Sequence, residues 1–202
     1  MSFHPSMEYS PARFHKSERE LAEPGGEFTY TPQNQAKFDA NVERYPADQR
    51  KSAILYALYL AQNQQGYLTA AAMAHVAKQI RCTPAEVEDV VSYYTMFFTK
   101  PVGKYVVNVC RTLSCALRGA ERVTRELSEA IGVKPGETDA SGTFTLLEVE
   151  CLGACDRAPV VMVNDDWHEC LAPEQARAFV EDMRTKGRAA FTGCYLNKET
   201  KT

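Results

Sequence analysis

Two short runs in this chain of 202 residues carry side chains that could do chemistry. They read VNVCRTLSC, with four residues between Cys110 and Cys115, and EVECLGAC, with three between Cys151 and Cys155. A cysteine thiolate is a soft donor suited to zinc and to iron–sulfur centres. Each pair follows an alternating, β-branched run, which places it on the loop leaving a strand. If the two strands are neighbours, all four sulfurs converge at one edge of a sheet. Zinc ligand pairs commonly stand roughly two to four residues apart, so both gaps suit zinc. An iron–sulfur cluster is larger and takes wide first gaps, so it fits as well. Spacing alone leaves iron–sulfur, zinc and disulfides open.

Composition narrows the setting. With 45% apolar residues, the chain can bury a core over one or two domains. A net charge of −3 leaves no broad basic footprint for nucleic acid. The longest apolar run, Ala53 to Ala61, is 9 residues and too short to cross a bilayer. The N-terminal stretch MSFHPSMEYSPARFHKSERE has no apolar core of a secretory signal. A cytoplasmic, reducing location follows as the expectation, in which 7 cysteines point to metal ligation more than to stapling. Cys82, Cys170 and Cys194 then remain as small buried or surface thiols.

The elements that must position the cysteines can be read along the chain. Residues 1–30 are polar, with Pro5, Pro11, Pro24, Gly25 and Gly26, and read as a mobile or partner-draped arm. Residues 31–99 form a helical domain. Thr31-Pro32 opens its first helix. A second helix is expected over 47–65, with Ile54, Leu55, Leu58, Tyr59 and Gln62 on one face and Gly66 as its stop. Thr69 caps a third helix, and Thr83-Pro84-Ala85-Glu86 is a capping box for a fourth.

Residues 100–187 carry strands over 104–109, 143–149, 159–163 and 167–171, with helices over 116–131 and 173–186; residues 188–202 form a tail. A strand–helix–strand crossover makes the first two strands parallel and sets both cysteine loops at their carboxyl ends, where open α/β sheets bind ligands. The fold class is α+β: an N-terminal helical bundle, then a thioredoxin-like α/β domain with a mixed four-stranded sheet.

Around the cysteines, Gly153 and Ala154 are small enough to let backbone amides approach sulfur. Arg111, Arg118 and Arg157 lie beside the ligands and could ease the uptake of an electron, or simply be solvated. His168 and Cys170 share a strand face but lack further ligands for a zinc site. His4, His15 and His75 have no nucleophile or carboxylate partner nearby in sequence. Tyr93, Tyr94, Met96, Phe97 and Phe98 are either core or a partner-facing surface. No glycine-rich nucleotide fingerprint is present.

The chain from about residue 31 to 187 resembles the small thioredoxin-fold [2Fe–2S] subunits of respiratory complex I (NuoE type). The match is carried by Gln62 to Leu68, by Val87 to Phe97, by Val109-Cys110 with Cys115, by Cys151 to Cys155, and by Ala158 to Asn164. The resemblance implies one [2Fe–2S] cluster held by Cys110, Cys115, Cys151 and Cys155. It also implies an electron-transfer role in NADH:quinone oxidoreductase, with the cluster close to a flavin and off the main relay. Flavin mononucleotide and NADH would sit on a larger partner (NuoF type), among further peripheral-arm subunits on the cytoplasmic face of the membrane. Equivalent subunits of NAD-linked hydrogenases and formate dehydrogenases, or a zinc-stabilised interaction module, are the alternatives.

Overall fold

A computed structural model describes residues 23–187 of the chain. They divide into two compact units, residues 23–101 and 102–187. The expected arm lies outside the described residues as far as residue 22, and the tail over 188–202 lies wholly outside them.

The first unit holds α1 (Pro32–Val42), a 3₁₀ stretch (Ala47–Ala53), α2 (Ile54–Gln65), α3 (Ala70–Ile80) and α4 (Pro84–Tyr93). The hydroxyls of Thr31 and Thr69 accept from the amides of Asn34 and Ala72, capping α1 and α3. Thr83 and Glu86 complete the capping box on α4. Gly66, at φ +92°, ends α2 in the left-handed region. The helix expected over 47–65 is thus two pieces, with a kink at Gln49. The polar run ADQRKSA buries only Ala53, so packing does not hold it in an α-helix.

Phe38, Ala57, Leu58, Ala61, Leu68, Ala72, Val76, Val87 and Phe97 are all fully buried and form the centre of this unit's core. On α2 the expected face is only partly right. Ile54, Leu58 and Gln62 are buried, but Tyr59 is exposed and the alanines 57 and 61 take its place. Residues 23–30 also depart from the expected arm. The carbonyls of Glu23 and Pro24 accept from the first amides of α3, and the Tyr30 hydroxyl donates to the Ala57 carbonyl at 2.7 Å. Tyr30 and Phe28 pack edge-on against His75. Satisfied helix-end amides and buried rings hold this segment down.

The aromatic run after α4 divides between core and surface: Phe97 is fully buried, while Tyr93 is 79% exposed. Gln62 fixes that division. Its buried amide donates to the Met96 carbonyl at 2.9 Å and accepts from the Phe98 amide at 2.8 Å. The Phe98 carbonyl in turn accepts from the Leu68 amide.

The second unit holds β1 (Tyr105–Cys110), α5 (Leu113–Leu117), α6 (Ala120–Ile131), β2 (Phe144–Val149), β3 (Val161–Val163), β4 (Asp166–His168) and α7 (Ala176–Lys186). The sheet order is β2-β1-β3-β4. β1 and β2 are parallel, in register from Tyr105 opposite Phe144 to Cys110 opposite Val149, and the other two pairings are antiparallel. Helix α6 packs on β1, β2 and α7. Its residues Val123, Leu127 and Ile131 join Val107, Val109, Leu146 and Phe179 in this unit's core.

Several boundaries move from their expected places. The strand expected over 167–171 ends at His168, so Cys170, at φ +52°, does not share a strand face with it, and the helix expected from 173 begins at Ala176 after a 3₁₀ turn. The helix expected over 116–131 splits at Gly119, whose φ of +88° interrupts the helical path. Cys110 is the last residue of β1 rather than part of the loop, because its amide donates to the Val160 carbonyl at 3.1 Å. β3 begins only after Pro159, which has no N–H for the ladder and follows a cis peptide bond. Gly103 must be glycine, since a Cβ there would lie 2.7 Å from the Phe144 carbonyl carbon. Among the described residues no helix is long and apolar enough to cross a membrane.

Gln62→Ala leaves the Met96 carbonyl and the Phe98 amide without their partner. The helical unit should lose about 1–3 kcal/mol, since an orphaned buried group costs roughly 1–3 kcal/mol and the two groups here are part-buried. Urea denaturation followed by circular dichroism checks this, and an unchanged midpoint contradicts the clamp.

Candidate metal centre

The parallel register of β1 and β2 builds this site. Cys110 ends β1 opposite Val149, and Cys151 follows two residues after Val149, so both cysteine segments leave the same end of the sheet. The short helix α5 then returns Cys115 to the buried cluster that holds Cys110. After β2, the chain passes Gly153 into a 3₁₀ turn that begins at Cys155. There the Cys151 and Cys155 sulfurs stand 3.3 Å apart. Two sulfurs bound to one tetrahedral metal at about 2.3 Å would be about 3.8 Å apart, so this pair needs only a small opening. Helix α5 packs against the 3₁₀ turn that begins at Cys155, which makes the two cysteine segments neighbours.

Among the described residues no group of three or more His, Cys, Asp or Glu side chains is arranged around a single ion. The cysteines lie instead as a buried pair and an exposed pair. Cys110 and Cys115 are each only 2% exposed, whereas Cys151 and Cys155 are exposed. One pair is therefore embedded behind Ala120, Ala158 and Val160, and the other faces outward.

Backbone donors are aimed at the sulfurs. The Gly153 amide lies 3.4 Å from the Cys151 sulfur. Gly153 holds a φ of +84°, so a residue free to adopt the left-handed region is what brings this amide into reach. Burial works to raise the Cys110 thiol, but the amides of Leu152 and Thr112 outweigh it and hold the group below its usual range. Cys115 is raised by burial and by its bond to Cys110, against the opposing amide of Val160. Hydrogen bonding to the Cys151 thiol raises Cys155. Such donors stabilise the negative charge that four thiolates bring to a metal centre.

The neighbouring arginines are largely engaged elsewhere. Arg157 pairs with Glu169 at 3.0 Å, and Arg111 with Glu150 at 3.9 Å. The leftover cysteines separate in kind. Cys82 is a part-buried free thiol in the helical unit. Cys170 is disulfide-bonded, which corrects the reading of it as a free thiol, because pairing depends on spatial neighbours that spacing does not reveal. Cys194, His4 and His15 lie outside the described residues. His168 is buried with its ring against Phe179.

The cysteine arrangement is matched by what the chain resembles. A family model described as thioredoxin-like [2Fe-2S] ferredoxin matches residues 38–184. The chain belongs to that family. Membership brings a [2Fe–2S] cluster as cofactor and the thioredoxin-like fold of the second unit. The chain is 39% identical to the E-type subunit of NADH-quinone oxidoreductase from Rickettsia bellii over 158 residues, 78% of its own length and 95% of the relative's. It is 38% identical to a corresponding protein of Rhizobium meliloti, numbered E 2 in that organism, over 152 residues, 75% of its length and 89% of that protein's. For the E-type subunit of Mycobacterium tuberculosis the identity is 39% over 165 residues, covering 80% of this chain and 65% of the other. A crystal structure of NAD+-reducing [NiFe]-hydrogenase in the air-oxidized state shares the fold, with a TM-score of 0.57 at 21% identity. That overlay covers 72% of this chain and 28% of the hydrogenase chain.

Two features beside the cysteines escaped the sequence. Leu113 and Leu117, one helical turn apart on α5, are 70% and 79% exposed. The Thr112 hydroxyl lies 3.8 Å from the Cys110 sulfur and accepts from its thiol. Its only signal was its place in the spacer between the first two cysteines.

Exposure sets an order of reaction. In cluster-free protein, iodoacetamide should modify Cys151 and Cys155 before Cys110 and Cys115, as peptide mass spectrometry over a time course would read. Simultaneous labelling of all four contradicts the embedded and outward pairs.

Proposed function

We propose that this chain is the electron-transfer subunit of the NADH-oxidising module of NADH:quinone oxidoreductase, with its [2Fe–2S] cluster held by Cys110, Cys115, Cys151 and Cys155. The observation that carries this reading is the convergence of two thiol pairs at the carboxyl ends of the paired strands β1 and β2, with amides directed at their sulfurs. The donor set fits the group: four soft thiolates in two pairs match a centre with two metals, one pair to each.

When bound, the cluster takes up and returns one electron at a time. The residues of this chain supply the rest. The cysteines fix the centre to two strand ends, and the amides of Gly153, Leu152, Thr112 and Val160 offset the charge on their sulfurs. Cys151 and Cys155, the exposed pair, give the side from which an electron enters or leaves. NADH delivers a two-electron hydride, and no nucleotide fingerprint occurs in this sequence. A flavin on a larger, NADH-binding partner of the NuoF type must then divide the electron pair. The similarity to the E-type proteins of NADH-quinone oxidoreductase over most of their length supports this host over a hydrogenase, whose likeness extends to the fold alone. The assembly would sit peripherally on the cytoplasmic face of the membrane.

The purified protein should be brown, with a visible absorption band lost on reduction by dithionite. Cys110→Ser, Cys115→Ser, Cys151→Ser and Cys155→Ser should each lose most of that band, because oxygen is the harder and poorer ligand. Cys82→Ser should keep it. Colourless protein holding one zinc per chain, or a full band in the Cys151→Ser variant, would overturn the assignment. Without the flavoprotein, the chain should not oxidise NADH.

A further inference from the structure

The chain that leaves the exposed cysteine pair is fastened to a second segment. After the 3₁₀ turn Cys155–Arg157, residues 157–159 run beside residues 169–171. The Cys170 amide donates to the Arg157 carbonyl at 2.9 Å, and the Leu171 amide to the Pro159 carbonyl at 3.1 Å. Leu171 is fully buried in this unit's core, so the receiving segment is itself anchored. One ion pair joins the same two segments: the Arg157 guanidinium donates to the Glu169 carboxylate at 3.0 Å. Its side chains are 33% and 24% exposed, whereas those of the Arg177–Glu129 pair, which joins α7 to α6, are 74% and 54% exposed. An ion pair sheltered to that degree is screened less by water than an open one. The second contact of Arg157, to Asp156 at 3.6 Å, reaches only its chain neighbour and ties nothing across the fold.

We propose that the Arg157–Glu169 ion pair is the latch that holds the outward cysteine loop on the cluster, which makes both side chains positioning residues for Cys151 and Cys155. The inference rests on the proposed ligand set and adds to it what secures its exposed half. Cys110 and Cys115 are embedded behind Ala120, Ala158 and Val160. A cluster leaving the protein must therefore part first from the outward pair. That parting requires the loop over 151–157 to move, and with it the contact between residues 157–159 and 169–171. The two backbone hydrogen bonds there survive any change of side chain. The ion pair is the part of the attachment that residue type supplies, and a charge-assisted hydrogen bond is the stronger kind.

The test follows the visible band of the purified, cluster-loaded chain after excess EDTA is added to take the iron. Glu169→Gln keeps the shape of the side chain and removes its charge; Arg157→Gln removes the guanidinium. Each should lose the band about three- to tenfold faster than the wild type, the range expected for a part-buried, charge-assisted pair. The double variant should be no faster than the faster single one, since both break the same interaction. Arg157→Lys, which keeps the charge and a donor, should recover part of the wild-type rate. Glu129→Gln, which breaks the pair between α6 and α7, should release its cluster as the wild type does. Wild-type rates in Glu169→Gln and Arg157→Gln would overturn the proposal. So would a double variant whose acceleration is the product of the two single ones, since the side chains would then act apart. A Glu129→Gln variant as fast as Glu169→Gln would also overturn it, by tracing the effect to the stability of the whole unit. If one of the two single variants takes up no cluster, the rate of the other decides the matter. A wild-type chain that carries no iron–sulfur band refutes the ligand assignment instead, so the two failures are distinct.

Discussion

The parallel pairing of β1 with β2 is the constraint on which the site depends. Parallel strands put like ends together, so residues that follow both strands meet without any further device. Because Cys110 is in register with Val149, the first cysteine of each pair is delivered to the same sheet end. An antiparallel pairing of the same two segments would send the clusters to opposite ends. The crossover through α6 enforces the parallel choice, and the apolar face of Val123, Leu127 and Ile131 holds that helix on the strands. Burial far from the cysteines thus decides whether they meet.

From that constraint follows the unequal treatment of the two pairs. Cys110 is the end of a central strand, with β2 on one side and β3 on the other, so it is buried with Cys115 against it. The second pair sits on a loop closed by a 3₁₀ turn, with no strand beyond it, and remains exposed. A redox centre needs both conditions. Its metal must be shielded from hydrolysis and oxidation, and one edge must be reachable by the electron's source. The exposed Leu113 and Leu117 on α5 border the same loops, so apolar surface accompanies the open edge.

The helical unit shows how a polar residue can decide an apolar arrangement. Gln62 is buried among alanines and leucines, yet it binds both polar groups of the chain that follows α4. That clamp sends Phe97 into the core and leaves Tyr93 outside. A buried amide with both ends satisfied specifies one path for a segment without regular structure, which apolar burial alone would leave loose.

Local chemistry was legible in the sequence. The caps at Thr31, Thr69 and Thr83 and the stop at Gly66 depend on neighbours three or four residues away, and they stand where the sequence put them. The crossover rule likewise yielded the parallel strands and the delivery of both cysteine segments to one sheet end. Effects reaching across the chain were not legible. Residues 23–30 looked like a free arm until the first turn of α3 and the ring of His75 were there to receive them. The polar run 47–53 looked helical until it had no core face to rest on. Cys170 read as one more thiol until the fold gave it a partner sulfur. Thr112 read as a spacer residue, and only the packed end of β1 beside it turned its hydroxyl to sulfur. Residue type and spacing set which groups could bind a metal; which hydrogen bonds those groups received depended on distances that only the packed chain defines.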